Sequence, residues 1–225
     1  MKYLAAFSVV LLSISTSVSQ EFIGSFRLIT EQVYANGNTR IDSADYHFGK
    51  EKVALHIYAR GKPDELRLIF NPSDTTITGL FEINGRKSGY ILPMNNDYWP
   101  GMPFAQRPYG TGPRTELNYS GRQKEILGYQ CREIVAESEE YNVEIWASDI
   151  PLSFTKVIAY QTVGAGEQDG EVKLFDTFGV ETLPLKIYLK SKIGKGDVHL
   201  LISKLQAQVN EDVFSTEGHS LSRPE

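Results

Sequence analysis

Hydrophobic side chains recur at every second position over most of this chain. Val53, Leu55, Ile57 and Ala59 alternate with Ala54, His56, Tyr58 and Arg60. Tyr141, Val143 and Ile145 alternate with Asn142, Glu144 and Trp146, and Leu185, Ile187 and Leu189 with Lys186, Tyr188 and Lys190. Leu66, Leu68 and Phe70 form a further apolar face. Successive side chains of a strand point to opposite sides, so each run has one face to bury and one to wet. One-sided burial points to antiparallel rather than parallel sheet. Turn chemistry agrees: Asn36-Gly37 and Asn84-Gly85 suit the positive φ angles of tight hairpins. Gly61-Lys62-Pro63-Asp64 and Gly194-Lys195-Gly196-Asp197 read as longer turns. The pattern predicts strands near 22–34, 39–49, 52–60, 65–71, 75–83, 87–92, 114–126, 129–138 and 141–147, with more between 172 and 210.

Several stretches depart from this period. Leu200 and Ile202 share one parity, whereas Leu205, Ala207 and Val209 share the other. One extra residue near Ser203-Lys204, a β-bulge, reconciles them; a helix is the competing reading. Ile150 to Gln161 reads as a helix, with Asp149 to cap it, Pro151 in its first turn, and Ile150, Phe154, Val157 and Ile158 on one face. Gly164 to Gly170 reads as a flexible connection. Segment 93–113 holds Pro93, Pro100, Pro103, Pro108 and Pro113, half of the ten prolines, which excludes regular helix or sheet. It also carries Tyr98, Trp99, Phe104 and Tyr109. Long irregular segments inside a domain are often functional, and aromatic rings suit binding surfaces. These four residues are therefore the candidate ligand-binding set, with Trp99 and Phe104 as gate residues. The competing reading is that the rings plug one end of the sheet.

The N-terminus sets the compartment. Lys2 precedes an apolar run from Leu4 to Leu12, and Ser17 and Ser19 supply the small residues a signal peptidase needs. The run is about half the ~20 residues needed to span a bilayer. A signal peptide over 1–19 is expected, then a single domain over 20–212 and a flexible tail over 213–225. The expected location is the periplasm or the secreted fraction, with no transmembrane segment after cleavage. With 23 basic against 28 acidic residues the net charge is −5, which argues against nucleic acid or an anionic membrane as partner. Cys131 is the only cysteine, so no internal disulfide forms; within an alternating run it reads as a small buried hydrophobe.

No enzyme constellation emerges. There is no Gly-x-Ser-x-Gly elbow and no phosphate loop. His47, His56, His199 and His219 have no metal-ligand spacing, so no metal or cofactor is expected. Glu137, Glu139 and Glu140 sit at a hairpin turn and read as a solvated tip. Asn118-Tyr119-Ser120 matches a glycosylation sequon, taken as chance.

The stretch from Asn118 to Glu133 places Gly121, Lys124, Ile126, Gly128, Tyr129 and Cys131 in a G-x-x-K-x-I-x-G-Y-x-C pattern. Val143 to Ile150 follows with Trp146, and Phe22 to Phe26 and Phe48 to Lys52 open the chain. In these pieces the chain resembles a family of Bacteroidota envelope proteins, a domain of unknown function grouped with the lipoprotein carriers LolA, LolB and LppX. The resemblance implies a mainly β (α+β) fold: a curved antiparallel sheet or incomplete β-barrel, LolA-like, with few helices and a long loop closing the open side. Carriers in that superfamily hold acyl chains in an apolar cavity. The expected function is non-enzymatic binding of an apolar ligand such as a lipid or acyl chain. The alternative is a protein-interaction module in envelope assembly that uses segment 93–113.

Overall fold

The computed structural model describes residues 21–58, 65–113 and 115–223. The expected signal peptide over 1–19 and the turn at 61–64 lie outside them. The alternating runs become β1 (Gly24–Val33), β2 (Thr39–Phe48), β3 (Val53–Tyr58), β4 (Glu65–Asn71), β5 (Thr76–Ile83), β6 (Arg86–Pro93), β7 (Tyr119–Ile126), β8 (Tyr129–Glu137), β9 (Tyr141–Ala147), β10 (Pro184–Ser191) and β11 (Asp197–Gln206). A short β12 (Ser220–Ser222) completes one sheet in the order β12-β6-β5-β4-β3-β2-β1-β11-β10-β9-β8-β7. β12 runs parallel to β6, and the other neighbours are antiparallel. β12 and β7 are its two edges, so the sheet is open rather than a closed barrel. The fold is mainly β with few helices, as the alternation predicts.

The turn chemistry is explicit. Asn84, with φ of 53°, and Gly85, with φ of 75°, are the paired left-handed residues of a hairpin turn. This is the type I′ geometry that matches the twist of the flanking strands. Leu127, with φ of 53°, and Gly128, with φ of 82°, make the same turn between β7 and β8. A leucine stands there where asparagine or glycine fits. Leu127 is half exposed and gains little from packing. Leu127→Asn is therefore expected to raise stability by about 1 kcal/mol, the left-handed penalty of an ordinary side chain. A higher urea midpoint at unchanged slope would show it; an unchanged midpoint would count against it.

The bulge is where parity requires it. Ser25 pairs Gln206 but Arg27 pairs Ser203, so β11 carries one extra residue. Lys204 sits there with φ of 52°. Leu205 thereby turns back onto the core, and Ala207 and Val209 lie beyond the strand.

Helices α1 (Met102–Ala105), α2 (Phe154–Ala159) and α3 (Gly170–Phe178) lie on one face of the sheet, the inner face. The helix expected from Ile150 starts four residues later. Ser153, not Asp149, occupies its capping position, and the last residues tighten into a 3-10 turn, Tyr160–Thr162. Ile150 precedes a proline, which disfavours helical backbone there, and its carbonyl accepts from Leu152 and Leu183 instead. α3 corrects the expectation of strand from 172. Val172, Phe175 and Phe178 are buried three residues apart. Gly179, with φ of 65°, ends the helix in the left-handed conformation that glycine adopts freely.

The opposite, outer face has its own small apolar patch of Ala54, Ile69 and Leu80. Val213 and Phe214, in a 3-10 turn over Glu211–Phe214, pack on it. The segment expected as a flexible tail from 213 thus crosses the outer face and pairs its residues 220–222 with β6.

Candidate ligand-binding site

The lengths of the elements leave part of the inner face uncovered. The ten residues of β1 extend about 33 Å at the usual rise of a strand. The six residues of α2 rise only about 9 Å, and the nine of α3 about 14 Å. Between sheet and helices lies a cavity of about 1050 Å³, just above the range of about 300–1,000 Å³ usual for small-molecule sites. Its floor is Leu28 of β1, Ala44 of β2, Leu55 and Ile57 of β3, Leu189 of β10 and Leu200 of β11. Ile158 of α2 and Leu174 and Phe175 of α3 form the roof.

The mouth is polar. Arg40 and Asp42 near the β1–β2 turn form an ion pair at 2.7 Å, and Lys195 of the β10–β11 turn pairs with Glu140 of the β8–β9 turn at 2.7 Å. Glu139 and, from the first turn of α3, Glu171 complete it. The acidic trio expected as a solvated tip is thus divided. Glu137 pairs with Lys192 at 2.5 Å, which holds its carboxyl below the usual range, while Glu139 and Glu140 rim the cavity. Hairpins remote in sequence build this mouth, so no local motif announces it.

The aromatic segment is placed elsewhere. Trp99 is buried against Phe70 and Tyr160, with ring centroids 4.7 and 5.2 Å away, and its indole N–H donates to the Ala159 carbonyl at 2.7 Å. The Tyr98 carbonyl accepts from Gly164 at 2.8 Å. Phe104 is half-buried under the Arg107 guanidinium, 5.1 Å from its ring centroid. Tyr109 is half-buried; burial and then Glu181 raise its pKa. Phe104 and Tyr109 border a crevice of about 20 Å³, and none of the four lines the large cavity. The segment braces the helices. The Gly101 N–H donates to the Thr162 hydroxyl at 2.8 Å, and Arg107 forms an ion pair with Asp176 of α3 at 2.5 Å.

Four residues of the 118–133 stretch, Ser120, Arg122, Lys124 and Glu133, gather around Trp146 of β9. Glu133 is buried at 1% exposure opposite Trp146, and Arg122 and Ser120 both donate to its carboxylate. The Lys124 ammonium lies 3.5 Å from the Trp146 ring centroid. Burial pushes the Glu133 carboxyl up, and the Arg122 and Ser120 bonds outweigh it, leaving its pKa lowered. The stabilisation linked to that shift is full above the unfolded value of about 4.3 and is lost as pH falls through the folded one. Acid denaturation of Glu133→Gln should therefore be shallower than that of the unsubstituted protein. Equal slopes would remove Glu133 from the acid limb.

Cys131 is fully buried, and burial raises its thiol pKa, which disfavours the reactive thiolate. Among the described residues no group of three or more His, Cys, Asp or Glu is placed to hold a metal. Nor is any helix among them long and apolar enough to cross a membrane.

No protein-family model matches the chain, and no curated protein matches it in sequence. Solved structures similar to it include PNGF-II, at TM-score 0.39 and 11% identity over 89% of this chain and 32% of that one. This chain thus spans about a third of the length of the PNGF-II chain. An uncharacterised conserved protein from Thermus thermophilus is similar at TM-score 0.43 and 8% identity, covering 89% of this chain and 90% of that one. A LolA superfamily protein from Nitrosomonas europaea is similar at TM-score 0.36 and 9% identity, covering 88% and 91%. A similarity of this kind transfers no ligand or activity.

Proposed function

We propose that the protein is a non-enzymatic envelope protein that binds an apolar ligand, such as a lipid or acyl chain, between its sheet and helices. The observation that carries this reading is the cavity of about 1050 Å³, floored by aliphatic side chains and opening at a charged mouth. Burying one methylene contributes about 0.8 kcal/mol, so a chain of ten contributes roughly 8 kcal/mol. Association costs roughly 4–15 kcal/mol, so an acyl chain of that length is near the minimum for useful affinity. The aliphatic floor and roof offer an acyl chain a complementary surface along its length. The signal peptide expected over 1–19 puts this activity in the periplasm or outside the cell. In this reading Trp99 and its neighbours in segment 93–113 hold the helical cover in place.

Native mass spectrometry of protein purified without detergent should show a bound lipid-sized mass, and the stripped protein should bind a fluorescent fatty-acid probe. Protein that emerges empty and ignores such probes would overturn the proposal.

A further inference from the structure

The charges at the mouth constrain the head group of whatever enters. Four carboxylates line the cavity, those of Asp42, Glu139, Glu140 and Glu171, against two cations, Arg40 and Lys195. Both cations are already matched, Arg40 by Asp42 and Lys195 by Glu140. Two further lysines nearby are matched outside the rim, Lys192 by Glu137 and Lys173 by Asp169. Glu139 and Glu171 enter no ion pair among the described residues, so the described rim holds two carboxylates without a paired cation. The first turn of α3 opens here too, and free amides at a helix start favour an anion. Glu171 lies within that turn, and Asp169 precedes it, so its own side chains oppose that field. The Thr30, Ser43 and Ser138 hydroxyls at the cavity add acceptor oxygens.

We infer that this cavity selects an amphiphile whose apolar chain enters between sheet and helices while a cationic amine head sits at the mouth beside Glu139 and Glu171. This rests on the apolar-ligand reading and adds the head group to it. An ammonium has three donors and no acceptor, and it meets carboxylates and hydroxyls that accept. A carboxylate or phosphate head would meet two like charges and gain only cations already engaged. Exposed charge pairs are individually weak and screened by salt, so the discrimination expected is modest and dependent on ionic strength.

Titration calorimetry of the stripped full chain with dodecylammonium, dodecanoate and dodecyl maltoside, each below its micellar concentration, tests this. Dodecylammonium should bind about tenfold more tightly than dodecanoate at low salt, with the maltoside between them. The gap should close in high salt and in the Glu139→Gln/Glu171→Gln double variant. Dodecanoate binding as well as the amine, or a preference that survives in the double variant, would overturn the head-group assignment and leave the apolar site standing. If none of the three binds, the apolar site itself falls, and the assignment with it.

Discussion

Trp99→Ala is expected to cost about 3–5 kcal/mol of folding stability, the range for deleting a buried large aromatic. The ring is 1% exposed and fills the angle between Phe70 of β4 and Tyr160 at the end of α2. Removing it leaves a void where sheet, segment 93–113 and α2 meet. Its hydrogen bond contributes less than its bulk, because the Ala159 carbonyl also accepts from the Thr162 hydroxyl at 2.9 Å. Trp99→Phe, which keeps most of the packing, should lose only about 1–2 kcal/mol. Gly101→Ala probes the same junction, because a Cβ there would lie 2.4 Å from the Ala159 oxygen and from the Thr162 hydroxyl. A loss of about 1–3 kcal/mol is expected for it. Urea unfolding of the three variants separates a brace from a gate. A gate residue would change ligand exchange and leave stability nearly untouched, so a loss below about 1 kcal/mol for Trp99→Ala would refute the brace.

The same residues show what was legible in the sequence. Val53, Leu55 and Ile57 alternate because β3 has one face on the core and one outside, and such a pattern survives in any context. The bulge at Lys204 was legible for the same reason: a parity change between Ile202 and Leu205 has few physical remedies. α3 was hidden because Glu171-Val172-Lys173-Leu174 alternates locally like a strand. The spacing of Val172, Phe175 and Phe178, closed by Gly179, was the counter-signal. The cavity had a weaker trace still. Phe26 and Leu28 occupy the same face of the same strand, yet Phe26 stacks on Tyr46 at 5.2 Å while Leu28 faces the cavity. What separates them is where short α2 and α3 stop, a long-range fact that no local pattern carries. The aromatic segment stood out by composition, but composition does not distinguish a ring that contacts ligand from one that holds a helix.

Filling the cavity from its floor should abolish ligand binding and leave the fold intact. Ala44 lies at the middle of that floor, paired across the sheet with Leu28 on β1 and Ile57 on β3, both of which also line the cavity. In an ordinary core Ala44→Trp would overpack and cost about 1–3 kcal/mol or more. Here the indole projects into open volume and buries its own apolar surface, so stability should be unchanged or higher by about 1 kcal/mol. The volume it takes is volume an acyl chain needs, and affinity for a fatty-acid probe should fall at least 100-fold, about 2.7 kcal/mol. The two readouts together decide between explanations. Loss of binding with retained stability places the ligand on Ala44. Loss of stability would mean that the helices close onto the sheet in solution and that the floor is already packed. A stable Ala44→Trp protein that still binds the probe would move the ligand out of the cavity, and the half-buried rings of Tyr98, Phe104 and Tyr109 would be the next surface to test.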